Sequence, residues 1–214
     1  MAAFPLFARK RMVFITRTQW EDWEQRHRAD WVNRIWGYRN LSLIGTANAS
    51  KETNLAPFSS LTHLGANPAL AALVVRPDSA ERHTLENIRS TGHFTVNAVP
   101  QHLVQQAHQA AARYPREVSE FDAVGLTPVW YEDWHAPALA ECSIQLGMQL
   151  EEEMPIARNE TILLVASLQW CRAADEVCEG PDQPSHALAR SAVVEGLYRY
   201  AQTTPIVTLP YPKP

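Results

Sequence analysis

A chain of 214 residues with 46% hydrophobic and 20% charged side chains can bury a sizeable core without disulfide or metal staples, and its length fits one domain. Lys and Arg number 19 against 23 Asp and Glu, a formal charge of −4, which argues against a broad electropositive face for nucleic acid; no run approaches the roughly 18 apolar residues of a membrane span. Cys142, Cys171 and Cys178 form no C-x-x-C pair, and an odd count without a secretory signal points to free thiols in a cytoplasmic setting.

The chain opens with "MAAFPLFARKR", basic and acid-free but with an apolar part too short for a signal-peptide core, and translation from Met12 is an alternative start. "TRTQWEDWEQRHRADWVNRIW" begins with a Thr able to cap and places Trp20, Trp23, Trp31 and Ile35 near helical spacing, so it reads as one N-terminal helix. "LSLIG" reads as a strand ending at Gly45, followed by a polar turn. "NLAPFSS", residues 54 to 60, is mostly apolar yet carries a Pro that suits neither a buried strand nor a helix, so it reads as a loop whose backbone groups need partners.

"ALAALVV" is short and apolar, as a buried strand is, and ends at Arg76-Pro77. Thr84 is placed to cap a short helix with Leu85 and Ile88 on one face and Gly92 as its stop; "HFTVNAV" follows as a strand. "QHLVQQAHQAAARY" has the spacing of an amphipathic helix ending before Pro115, and "REVSEFDAVG" reads as a loop. In "CSIQLGMQL" apolar and polar residues alternate, the mark of a half-buried strand, and it pairs with "TILLVASLQW" as an antiparallel hairpin across a solvated turn holding Glu151, Glu152 and Glu153. "EVCEGPDQPSH" is a surface loop. Strands outnumber helices without regular alternation, so the expected class is mainly β (α+β), a β-barrel with an N-terminal helix and a few peripheral helices.

The eight histidines show no metal-ligand spacing, and His102 and His108, six apart, lie on different helix faces. No nucleophile elbow, Walker loop or dinucleotide fingerprint occurs, and Cys142 alternates inward as a core residue. "ERHTLENI" is more informative: Arg82, His83 and Thr84 at a helix start join cationic donors, a hydroxyl and free amides, which suits a phosphate, although a capped helix with a solvated Arg is the plainer reading. Set beside "NLAPFSS", which offers hydroxyls and amides to the edge of a flat heterocycle, it describes a mononucleotide-type cofactor such as FMN.

The blocks "NLAPFSSLTHLGANPAL", "RPDSAERHTLENIRSTGHFTVNAV", "AHQAAARYPREVSEFDAVGL" and "APALAECSIQLG" resemble, in order, those of the flavin reductase-like family, the FMN-binding split β-barrels. The resemblance implies a split-barrel domain over residues 33–214 behind an extension and helix at 1–32, a homodimer, and noncovalent FMN. It further implies that Asn54, Ala56, Phe58, Ser59 and Ser60 line the isoalloxazine, that Arg82, His83, Thr84 and Asn87 take the phosphate and ribityl chain, and that Arg76 and Tyr200 are additional contacts. Many members carry an Asp-Gly turn before Asn-Leu-Ala; "ANASKETNLA" has no Gly there. The implied activity is NADH- or NADPH-dependent flavin reduction, hydride passing from nicotinamide C4 to flavin N5, with no dedicated acid or base and with a partner monooxygenase as a candidate acceptor. A flavin-binding electron carrier, and an oxidase of a small organic substrate, are the alternatives.

Overall fold

The computed structural model describes residues 12–77 and 82–212, so the basic segment before Met12, residues 78–81 and residues 213–214 lie outside the described residues. Two short helices open it, α1 (Arg17–Glu21) and α2 (Gln25–Arg34), where the sequence pattern predicts one. The break is local chemistry. Glu24 turns its carboxylate back onto the amides of Arg26 and His27, at 2.8 and 3.0 Å, and so caps a new helix instead of continuing the old one. Trp31 of α2 packs on Trp20 and Trp23, ring centroids 6.3 and 5.4 Å away, and this holds the two helices together.

The strands are β1 (Tyr38–Asn40), β2 (Ser42–Ala47), β3 (Thr53–Phe58), β4 (Leu61–Ala66), β5 (Ala69–Val75), β6 (His93–Ala98), β7 (Pro128–Val129), β8 (Ala138–Leu139), β9 (Ile144–Ile156), β10 (Thr161–Ala173), β11 (Ala192–Glu195) and β12 (Arg199–Gln202). Between them lie α3 (His83–Thr91), α4 (Val104–Gln109) and α5 (Glu120–Val124). Seven strands form one antiparallel sheet in the order β3-β2-β6-β9-β10-β5-β4. Its two edge strands, β3 and β4, are joined by Ser59 and Ser60 alone, so the sheet must curl until its edges meet at that link. This curling makes the barrel. β1, β11 and β12 form a separate three-stranded sheet, and β7 pairs with β8.

β2 is buried along its whole length because alternate residues enter different cores. Ile44 joins Phe94, Leu73, Leu164 and Met148, with Leu85 and Ile88 supplied by α3; Leu43 joins Leu55, Phe121, Leu139 and Val194 on the other side. The mainly β class with few helices is as expected. Several local readings change.

Residues 54–58 are a strand, not a loop. β3 pairs only with β2, Pro57 opposite Leu43, and an edge strand tolerates a residue without an N–H. β2 runs on to Ala47, past Gly45. Thr84 lies inside α3, whose N-cap is Arg82, while Gly92 ends the helix in the left-handed conformation at φ +74° as predicted. The expected helix from 101 is a 3-10 turn followed by the shorter α4, and the "SEF" region, read as a loop, forms α5. Glu151, Glu152 and Glu153 sit within β9 rather than at its turn, and both faces of the start of β9 are covered, Gln145 by hydrogen bonds to Leu139 and Tyr131 and Gly147 by the Trp170 ring.

Candidate functional site

Thr46, on β2, gathers the polar residues that the sequence places in two distant segments. Its hydroxyl oxygen accepts from Asn54 Nδ2 of β3 at 3.3 Å and from Asn87 Nδ2 of α3 at 3.1 Å. Asn54 Nδ2 also donates to Thr84 Oγ1 at 2.9 Å. All four side chains are buried, so this knot fixes α3 against the sheet edge, and unpaired amides here would be costly. The knot brings Asn54, Thr84 and Asn87 together. Both amide hydrogens of Asn54 and one of Asn87 are engaged within the protein, which makes these residues holders of α3 against β3.

A second tie acts at the link between the barrel edges. Ser60 Oγ donates to the Val74 carbonyl at 2.7 Å, which sets the β3–β4 link beside the end of β5 and the exposed Arg76. Ala56, Pro57, Phe58, Ser59 and Ser60 are all half-buried, and Phe58 packs against the core formed with Ile44 and Leu73. Arg82, half-buried at the start of α3, donates from Nε to the Pro77 carbonyl at 3.4 Å. The start of α3 is thus tied to Pro77, next to Arg76, and the two serines to Val74, so these segments line one edge of the barrel.

Glu120 is the residue that sequence reading missed. At 7% exposed it accepts the Leu55 amide at 2.9 Å, anchoring β3 from behind. Burial raises its carboxyl above the usual range, against the lowering effect of that amide, its own backbone amide and the charge of His83. The only signal for it in the sequence was an acid within an otherwise amphipathic "SEFDAV". The crevice among Asn54, His83, Asn87 and Glu120 measures about 10 Å³, no more than a single water needs. Tyr200, also expected here, stands on β12, and its hydroxyl bonds His108 Nδ1 at 2.7 Å.

A larger cavity of about 450 Å³ opens at the barrel mouth, walled by Leu61, Val96, Leu146 and Met148 and reached by His63 and His186. None of the expected cofactor residues lines it.

The profile of the flavin reductase like domain matches residues 38–186. Among solved structures, a proposed flavin reductase with split barrel domain from Shewanella frigidimarina is 33% identical, with a TM-score of 0.89 over 94% of this chain and 100% of that one. Nitrilotriacetate monooxygenase component B from Bacillus cereus shares the fold at 21% identity, TM-score 0.80, over 93% of this chain and 99% of that one. Among curated relatives, an uncharacterized protein of Halalkalibacterium halodurans is 32% identical over 120 residues, 55% of this chain and 57% of that protein. The match thus spans little more than half the length of that relative.

Proposed function

Because this chain belongs to the flavin reductase like domain family, we propose that it is an FMN-dependent oxidoreductase that draws hydride from NADH or NADPH. The observation that carries the reading is the pair of ties, Asn54 to Thr84 and Ser60 to Val74, which converge on one barrel edge the segments that the sequence assigns to the ring and to the phosphate. The residues present fit such a ligand. Arg76, Arg82 and the first amides of α3 suit a dianionic phosphate, while the half-buried Phe58–Ser59–Ser60 stretch offers an apolar face bordered by hydroxyls and amides.

Bound FMN would supply the two-electron chemistry, accepting hydride at N5 and passing electrons onward. The chain's own residues bind and orient. Arg76, Arg82, His83 and Thr84 would hold the phosphate end; Ala56, Phe58, Ser59 and Ser60 would border the ring; Asn54 and Asn87, with Thr46, keep these two groups in register. No side chain at this edge is assigned as acid or base, since hydride transfer between stacked rings is a matter of positioning. A homodimer that completes the open edge, a cytoplasmic setting and a partner monooxygenase as acceptor belong to the same proposal.

The test is direct. Purified protein loaded with FMN and desalted should keep the flavin absorption bands and oxidise NADH or NADPH. Arg76→Ala together with Arg82→Ala should raise the Kd for FMN at least about tenfold, the loss of one charged hydrogen bond or more. A chain that refuses FMN, or keeps it without oxidising either nicotinamide, refutes the corresponding half of the proposal.

A further inference from the structure

The cavity at the barrel mouth shares no residue with the proposed FMN edge, and its chemistry is distinctive. At about 450 Å³ it falls in the range of small-molecule sites. Its walls are mostly aliphatic, and among the described residues no Asp, Glu, Lys or Arg lines it. A carboxylate or phosphate entering it would lose hydration with no counter-charge to replace it. The polar groups are few, and two of them are organised: His186 Nδ1 and Ser191 Oγ lie 3.0 Å apart.

Ser191 is buried at 9% exposed beside the cavity, and its hydroxyl is placed to donate to His186 Nδ1. A neutral imidazole that accepts at Nδ1 carries its hydrogen on Nε2. Among the described residues Nε2 has no hydrogen-bond partner, and it is not a buried unpaired atom, so it stays accessible beside the cavity. Partial burial also lowers the basicity of His186, which keeps the ring neutral at pH 7.

We propose that this cavity binds an uncharged, mainly apolar carbonyl compound, its oxygen accepting from His186 Nε2 while the Leu61, Val96, Leu146 and Met148 side chains enclose its apolar body. Ser191 is the positioning residue that holds His186 in the donating form. The cavity's first wall, Leu61, directly follows Ser60, so the two sites adjoin along β4 without sharing a side chain named here for either.

The experiment uses the full chain free of flavin, so that its result is independent of the FMN reading. Titration by ligand-observed NMR compares 2-acetonaphthone with 2-naphthoate, close in size and differing in charge. The ketone is expected to bind and the carboxylate to bind at least about tenfold more weakly, the unreplaced hydration of one charge. His186→Phe, which keeps an apolar ring and removes the donor, should weaken the ketone about tenfold, and Leu168→Trp, at a wall position already partly exposed, should abolish binding by filling the space. Both variants should retain FMN as the unaltered protein does. Equal binding of the two probes, or unchanged ketone binding in both variants, overturns the proposal. Failure of the ketone to bind also overturns it; if binding then appears in the Ile206→Asp, Leu209→Asp chain, the occupant is the exposed apolar C-terminal arm instead.

Discussion

Gly45 shows how tightly single residues are fixed around the knot. A Cβ built there would lie 2.2 Å from the Pro137 carbonyl oxygen and 2.6 Å from Thr95 Oγ1, because the segment leading into β8 crosses β2 at that point. The obstacle is backbone, held by the Thr95 hydroxyl donating to that same carbonyl at 2.7 Å, so it cannot swing aside. Gly45→Ala is therefore expected to destabilise the protein by about 2–3 kcal/mol or more in chemical denaturation, as overpacking does. Glu120 gives a second prediction, with a definite sign. Its folded carboxyl is raised, so between the ordinary value of 4.5 and the raised one the native state binds more protons than the unfolded state, and stability contributed at this site falls as pH rises through that window. Glu120→Gln should flatten that part of the stability–pH curve while still accepting the Leu55 amide; Glu120→Ala should cost about 1–3 kcal/mol at all pH values by leaving that amide unpaired. Asn54, Thr84 and Asn87 were legible as polar residues of interest, but not as partners of one another. Thr46, in a run that reads simply as strand, gave no sign of being their common acceptor.

The β2–β3 connection settles the turn that lacks glycine. Lys51 takes φ +64°, and Asn48 organises the rest, its Oδ1 accepting the amides of Ser50 and Glu52 at 2.9 and 3.0 Å. Lys51→Val should cost about 1–2 kcal/mol, the penalty of a β-branched residue in the left-handed region. Lys51→Gly should be nearly neutral, since relief of strain is offset by greater freedom of the unfolded chain and loss of the Lys51 contact with the Trp130 ring. Urea unfolding of both variants checks the pair. The segment between β7 and β8 closes on the barrel through ring contacts, His93 stacked on Trp134 with centroids 4.1 Å apart and Trp134 edge-to-face with Trp170 at 5.7 Å. Burial, followed by the charge of His135, lowers the basicity of His93. Below about 6.5 the unfolded state then takes up protons that the folded state refuses, so the stability this residue lends is lost as pH falls. Tryptophan fluorescence should report loosening of this segment on acidification, and His93→Phe should remove the response. The sequence displays none of this packing, because the rings come from elements far apart in the chain; it also hides α5 and the edge strand β3, where tertiary partners override weak or contrary local preference.

Across the whole molecule, alternation in 144–150 and the apolar runs 69–75 and 161–170 were enough to indicate an antiparallel β fold, since each half-hidden face requires a facing layer. The barrel was expected from the excess of strands, but not which strands become its edges; the two-residue link between β3 and β4 shows where those edges meet. That closure has a thermodynamic consequence. The proposed FMN site draws on the β3–β4 link, the end of β5 and the start of α3, held together by Ser60 to Val74 and Asn54 to Thr84, so the unfolded chain has no such site. A ligand that binds only the folded state adds about 2.7 kcal/mol of stability at one hundred times its Kd. For a chain of this length that corresponds to a rise in Tm of roughly 5–10 °C. Riboflavin, which keeps the ring and ribityl chain but lacks the phosphate, should at the same concentration raise Tm far less, because Arg76, Arg82 and the α3 amides would have no dianion to hold. Equal shifts with FMN and riboflavin in differential scanning calorimetry would show that the helix start and its two arginines do not read a phosphate, and would move the cofactor's polar end elsewhere on the barrel.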